Sequence, residues 1–290
     1  VSEGALIVDL EKYNMPPFML RKSDGASTYH TRDLAAALFR LKKYKPEKIV
    51  YVVGSEQKLH FQQLFKVLEL AGVDKNKFVH VDFGLFRFPE GKMSTRKGQV
   101  IFLEEVLNKA IELAENIIEE KNPALQNKKE VAIMVGVGAI IFADLSNDRI
   151  RDIEFDWNRM LSFEGETAPY LQYTHARSCS ILRKAVKEHS LGVSSHVNFE
   201  MFQSPEEIAV VKKLYAYPEV LVKVAQSNKP HHLAHYLIAT AQAYNEFYHK
   251  CPVLSDDKNL TKARLLLVDC VRQVLENGLN LLGIKAPEEM

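Results

Sequence analysis

An α/β half followed by an all-helical half is the fold class this sequence predicts, and three patterns predict it. Over residues 1 to about 100, short apolar runs alternate with amphipathic helical stretches. From 102 onward the strand-like runs all but stop and helical periodicity takes over. A polar stretch, Asn122 to Lys129, lies early in the helical part and divides the chain into an α/β domain, 1–125, and a helical domain, 126–290. The chain's 290 residues are enough for on the order of two domains with sizeable cores.

In the first half the strand candidates are 5–10, 17–21, 48–53 and 77–83, with helical patterns at 31–44 and 57–71 between them. This alternation predicts a mostly parallel sheet covered by helices. Thr31 reads as the N-cap of the first helix, with Asp33 in its first turn, where a carboxylate suits the helix dipole. Tyr29 and Asp33 are four apart and converge at that end. Such an aspartate either grips a guanidinium through two charge-assisted hydrogen bonds or only stabilises the helix start. Tyr51 to Gln57 reads as strand, turn, then helix. That places Gly54 and Gln57 at the carboxyl end of a sheet strand, where open α/β folds bind ligands. His60 lies one turn into the helix and faces back to the same edge.

Past the strand at 77–83 comes Gly91-Lys92-Met93-Ser94-Thr95-Arg96-Lys97-Gly98. Three cations and two hydroxyls between glycines make either a solvated basic turn or a mobile loop able to embrace a polyphosphate.

The helical half shows periodicity at 102–121, 128–147, 166–188, 205–226, 231–249 and 259–282, with Pro123, Pro205, Pro218 and Pro230 as punctuation. Val131 to Leu145 is nearly all apolar and reads as a buried helix, with a strand as the alternative. Its Gly136-Val137-Gly138 reads as close helix packing. Thr167 is a plausible N-cap, and Pro169 fits the first turn. Tyr170, Tyr173, Thr174 and Arg177 then share one helical face. On a later helix, Tyr244 and Tyr248 are four apart, with Phe247 beside them. These rings are either core or a stacking platform for the splayed bases of single-stranded RNA.

Composition narrows the partners. With 38 basic and 37 acidic residues the net charge is +1, so nucleic-acid contact must come from a local patch. Three scattered cysteines, Cys179, Cys251 and Cys270, argue against a disulfide framework and fit a reducing compartment such as the cytoplasm. No apolar run approaches the roughly 20 residues that span a bilayer. The chain opens on Val1 and runs directly into a strand pattern, as a piece cut from a longer protein would.

Three motifs occur in order: Tyr-x-Thr-Arg-Asp from Tyr29, Gly-Ser-x-Gln-x-x-His from Gly54, and Lys-Met-Ser-Thr-Arg-Lys-Gly from Lys92. Together they resemble the second half of the Rossmann-like catalytic domain of class I aminoacyl-tRNA synthetases, in the form typical of the arginyl enzymes. The segment Phe163 to Arg177 resembles their helical anticodon-binding bundle. The resemblance implies a ligase that joins arginine to its tRNA through an arginyl-adenylate. Tyr29, Asp33 and Gln57 would hold arginine. ATP would lie against Gly54, His60, Val81, Phe83, Gly84 and Lys92. Lys92, Ser94, Arg96 and Lys97 would stabilise the phosphates as pyrophosphate leaves. Mg²⁺ would accompany ATP without a protein cage. Tyr170, Arg177, Tyr244, Tyr248 and Met290 would meet the anticodon. The expected partners are arginine, ATP and arginine tRNA, with the protein a monomer and no membrane involved.

Two departures from the pattern stand out. Thr95 takes the place of the second signature lysine, as in other arginyl enzymes. The His-x-Gly-His half of the site is absent; His232-Leu233-Ala234-His235 comes nearest but sits in the helical half. The expectation is a C-terminal fragment unable to form adenylate alone. Two alternatives remain: a non-catalytic tRNA-binding module and a cysteinyl-type relative.

Overall fold

The computed structural model of the protein describes residues 3–87 and 102–290. The chain divides into two compact units, Val1–Leu85 with Ile150–Asp152, and Phe86–Arg149 with Ile153–Met290.

The first unit runs β1 (Leu6–Val8), β2 (Phe18–Arg21), α1 (Tyr29–Tyr44), β3 (Ile49–Gly54), α2 (Lys58–Leu70) and β4 (Phe78–Phe83). A short connection makes β1 and β2 antiparallel, whereas the crossover through α2 makes β3 and β4 parallel, in register from Ile49↔Phe78 to Gly54↔Phe83. The expected mostly parallel sheet is therefore two separate ladders in this unit. Alternation along the sequence gives the order of strands but not which of them pair. Leu10, Phe18, Ala37, Phe61, Leu64, Leu68 and Phe78 form the core. The other face of β3 carries Val50 and Val52, 44% and 65% exposed.

Helix α1 starts earlier than expected. Thr28, not Thr31, is the N-cap, with its hydroxyl accepting the Thr31 N–H. Thr28 is buried and donates to the Met19 carbonyl at 2.7 Å, while the Thr31 hydroxyl donates to the Leu20 carbonyl. Both threonines thus tie the helix start to β2, and Asp33 falls just beyond the first turn.

The second unit contains a two-residue parallel ladder, β5 (Phe86–Arg87) with β6 (Ile153–Glu154), and seven helices among the described residues. These are α3 (Leu103–Lys121), α4 (Lys128–Leu145), the single-turn α5 (Trp157–Met160), α6 (Ala168–His189), α7 (Pro205–Ser227), α8 (His231–Lys250) and α9 (Lys258–Leu281). The break expected at 125 is only the connection between α3 and α4. Both helices belong to this unit, because α3 buries Ala110, Ala114 and Ile118 on its α4 side.

The apolar run 131–145 is helical, and a helix apolar all round must be buried. Val131, Ala132, Val135 and Ala139 of α4 pack with Ala114 and Ile118 of α3. Phe142 joins the large core of α6, α8 and α9, and Ile140 meets Phe155 and Met160. Gly136 permits the close crossing that its sequence context suggests: a Cβ there would lie 2.7 Å from the Ala110 carbonyl carbon. Thr167 caps α6 as expected, accepting the Tyr170 N–H at 3.2 Å, with Pro169 in the first turn.

Candidate functional site

In the first unit the N-terminal turns of α1 and α2 converge at the carboxyl end of the parallel ladder. Gly54 and Phe83 are register partners that end β3 and β4, and the Ser55 hydroxyl donates to the Phe83 carbonyl at 2.9 Å. Gln57 is exposed and immediately precedes α2. One turn further, His60 is 6% exposed, and its Nε2 lies 2.8 Å from Asp33 Oδ2. A carboxylate only accepts, so Nε2 carries the proton and His60 donates to Asp33.

His60 was expected to line the nucleotide; its described polar contact is with Asp33 instead. That contact uses one carboxylate oxygen. The Asp33 side chain remains 45% exposed, and its oxygens retain acceptor sites for a planar cation.

Tyr29, 53% exposed, stacks on His30 at 3.9 Å between centroids and lies 5.0 Å from the His60 ring. Burial, and then the neighbouring His60, hold His30 below the usual histidine value. The side chains of Tyr29, Asp33 and His60 therefore meet at one corner, and Gln57 begins the turn that carries His60.

Val81 is buried in β4. Gly84 has a packing reason to be glycine, because a Cβ there would collide with the Arg151 carbonyl. The adjoining Leu85 N–H donates to Asp152 Oδ1 at 2.9 Å. Lys92, Ser94, Arg96 and Lys97 lie outside the described residues. Among the described residues, no three His, Cys, Asp or Glu side chains gather to hold a metal ion.

The second unit holds a cavity of about 740 Å³, within the range that encloses small ligands. Tyr170, Tyr173 and Arg177 of α6 line it, with Asn245 and His249 of α8, Met290, and Lys121 and Asn122 at the end of α3. The Arg177 guanidinium lies 4.7 Å from the Tyr173 ring centre and 5.3 Å from that of Tyr248. Arg177 Nη1 donates to Asn245 Oδ1 at 3.0 Å, and Asn245 Nδ2 donates to the Tyr170 hydroxyl at 2.9 Å.

Met290 is held in place by a strapped tail. Gln172 donates to the Lys285 carbonyl at 2.8 Å, His175 Nδ1 to that of Pro287 at 2.9 Å, and Asn122 to that of Met290 at 3.0 Å. Burial holds His175 below the ordinary histidine value, which favours the neutral, single-donor ring this strap uses.

Tyr244 does not belong to the cavity surface, contrary to expectation. It is 0% exposed, packed with Phe247 in the α8 core, and burial drives its hydroxyl far above the ordinary tyrosine range. A ring so enclosed cannot stack on a base in this arrangement. Asn245, the next residue, faces the cavity instead and was missed, as were Lys121 and Asn122. The signal available for Asn245 was its i,i+3 relation to Tyr248.

Residues 1–157 match the family described as tRNA synthetases class I (R), catalytic domain, and residues 171–290 match the DALR anticodon binding domain. The chain is 48% identical to the arginine–tRNA ligase of Clostridioides difficile (strain 630), over 100% of this chain and 50% of that protein. It superposes on Thermus thermophilus arginyl-tRNA synthetase with TM-score 0.89 and 32% identity, over 99% of this chain and 54% of that one. For the Plasmodium falciparum arginyl-tRNA synthetase the TM-score is 0.83 at 25% identity, over 100% and 49%. The chain spans about half the length of the curated relatives it matches. With a class I catalytic portion followed by a DALR domain, the chain belongs to the arginyl-tRNA synthetase family.

Proposed function

We propose that the protein to which this chain belongs attaches arginine to its tRNA through an ATP-dependent arginyl-adenylate. The chain supplies the guanidinium clamp, the cationic motif at 92–98 and the anticodon cavity. The observation that carries the reading is the half-exposed Asp33 carboxylate, oriented by buried His60 and flanked by Tyr29 at the edge where Gln57 begins α2.

A planar guanidinium satisfies that carboxylate through paired charge-assisted hydrogen bonds, which an ammonium cannot match in geometry. The arginine carboxylate then attacks the α-phosphorus of ATP, and pyrophosphate leaves. Lys92, with Ser94 and Arg96 or Lys97, neutralises charge on the departing phosphates. Gly54, Phe83 and Gly84 offer main chain to the nucleotide at the ladder's carboxyl edge. Mg²⁺ arrives on the ATP phosphates. Tyr170, Arg177, Tyr248 and Met290 receive anticodon bases. The family resemblance and the reducing-compartment cysteines support a cytoplasmic monomer. No helix among the described residues is long and apolar enough to cross a membrane.

ATP–pyrophosphate exchange by the full-length protein, with tRNA present, tests this. It should require arginine, and Asp33→Asn should raise the KM for arginine by roughly a hundredfold. Lys92→Ala should slow exchange by about 10²–10³ while leaving tRNA affinity in place. Exchange supported by cysteine rather than arginine, or an Asp33→Asn enzyme with unchanged KM, would overturn the reading.

A further inference from the structure

The hydrogen bonds around Asn245 run in one direction only. Thr174 is fully buried, and its hydroxyl donates to the Tyr170 carbonyl at 2.9 Å. Its oxygen is therefore left to accept, and Asn245 Nδ2 lies 3.2 Å away. Arg177 has only donors, so the group facing it at 3.0 Å must be the Asn245 carbonyl. Both neighbours fix the amide in the same orientation.

The second N–H of that amide then points at the Tyr170 hydroxyl oxygen, 2.9 Å away. Two protons cannot share that line, so the Tyr170 proton is turned away from Asn245. No described residue accepts it.

We infer that Asn245 is a positioning residue that sets the hydrogen-bond polarity of the cavity. It turns the Tyr170 hydroxyl into a donor toward the RNA, in the same lining as Arg177, whose guanidinium bonds the other end of the same amide. Asn245 itself is saturated by protein and reads no base. Two adjacent donors fit a nucleobase edge with two adjacent acceptors, the O2/N3 edge of cytosine or the O6/N7 edge of guanine. They disfavour uracil, whose N3 carries a proton, and adenine, whose N7 neighbours an amino group. Glu164, on the loop before α6, lines the same cavity, and no hydrogen bond joins it to the Tyr170 hydroxyl. The inference rests on the reading of this cavity as the anticodon site.

The test is binding of RNA hairpins carrying an arginine anticodon loop to the full-length protein. Each anticodon base is varied in turn, cytidine against uridine and guanosine against adenosine. At one position the acceptor-edged base should bind roughly tenfold tighter than its counterpart. Asn245→Asp is nearly isosteric but only accepts, so it draws the Tyr170 proton inward. That ratio should then fall to near one. Its added charge weakens all hairpins alike and cancels in the ratio. Tyr170→Phe should level the ratio too.

A wild-type ratio retained in Asn245→Asp overturns the inference and leaves the anticodon reading standing. A wild-type preference for uridine or adenosine overturns the donor assignment. If the wild-type protein holds these hairpins no better than unrelated RNA, the anticodon reading fails and this inference falls with it. Should Asn245→Asp not fold by circular dichroism, an unchanged ratio in Tyr170→Phe decides against the inference.

Discussion

Glu207, 1% exposed in the first turn of α7, accepts the main-chain N–H groups of Gln203 and Ser204 at 3.0 and 2.9 Å and the Arg264 guanidinium at 2.7 Å. Burial alone would raise its pKa. The Ser204 N–H and Arg264 outweigh burial and hold it below the ordinary 4.5. A carboxylate whose folded pKa is depressed stabilises the fold fully above its unfolded value, and that contribution is lost as pH falls through the folded value. Glu207→Gln leaves Arg264 without its counter-charge and should cost about 3 kcal/mol at neutral pH. It should also flatten the decline in stability below roughly pH 4.5. Urea unfolding at several pH values measures both effects. Such pairings are invisible in sequence, since Glu207 and Arg264 lie far apart in the chain. The same limit explains Tyr244. Sequence spacing places Tyr244 and Tyr248 on one side of α8, but a step of four residues turns the helix by about 40°. That is enough for Tyr244 to be sealed in the core while Tyr248 is 37% exposed.

Helix α4 shows what an element needs from its neighbours. At Gly136 a methyl group would press on the Ala110 and Ile111 main chain, which cannot rotate away as a side chain would. Gly136→Ala gains about 1 kcal/mol of helix propensity but forces α3 and α4 apart, for a net loss of roughly 1–2 kcal/mol. Gly192→Ala, in the loop after α6 with nothing within 4 Å of the new methyl, should leave stability within about 0.5 kcal/mol of the parent. A thermal melt of Gly136→Ala that rises instead of falling would mean that propensity outweighs the close crossing. The long helices were legible because periodicity and caps agree over many residues, and Pro218 lies inside α7 without ending it. The β5–β6 ladder was not, because two residues carry no period and its strands lie either side of α3 and α4. That Tyr29, Asp33 and His60 belong to ordered motifs was legible from the sequence. The His60–Asp33 contact was not, because it depends on how α1 and α2 cross.

At the scale of the whole molecule, charge is nearly balanced at +1, and several cations near the cavity already have partners. Arg183 bonds the Glu288 carbonyl and pairs with Glu289 at 3.2 Å, and Lys184 pairs with Glu188 at 3.7 Å. Among the described residues that line the cavity, Lys121 and Arg177 are the permanent cations, so hairpin affinity should fall with salt at a log–log slope of only about −2. Fluorescence titrations between low and physiological salt check this; a much steeper slope would mean phosphate tracking rather than base stacking. The division into two units was only partly readable, because the short Ile150–Asp152 segment returns to the first unit from within the second. The strap that seats Met290 also bears on laboratory practice. An affinity handle fused after Met290 would begin at the cavity wall, next to the bonds from Asn122 and His175. A recombinant protein extended at that end should lose RNA capture while keeping its melting temperature, so a handle placed there would be mistaken for a defect in the protein itself.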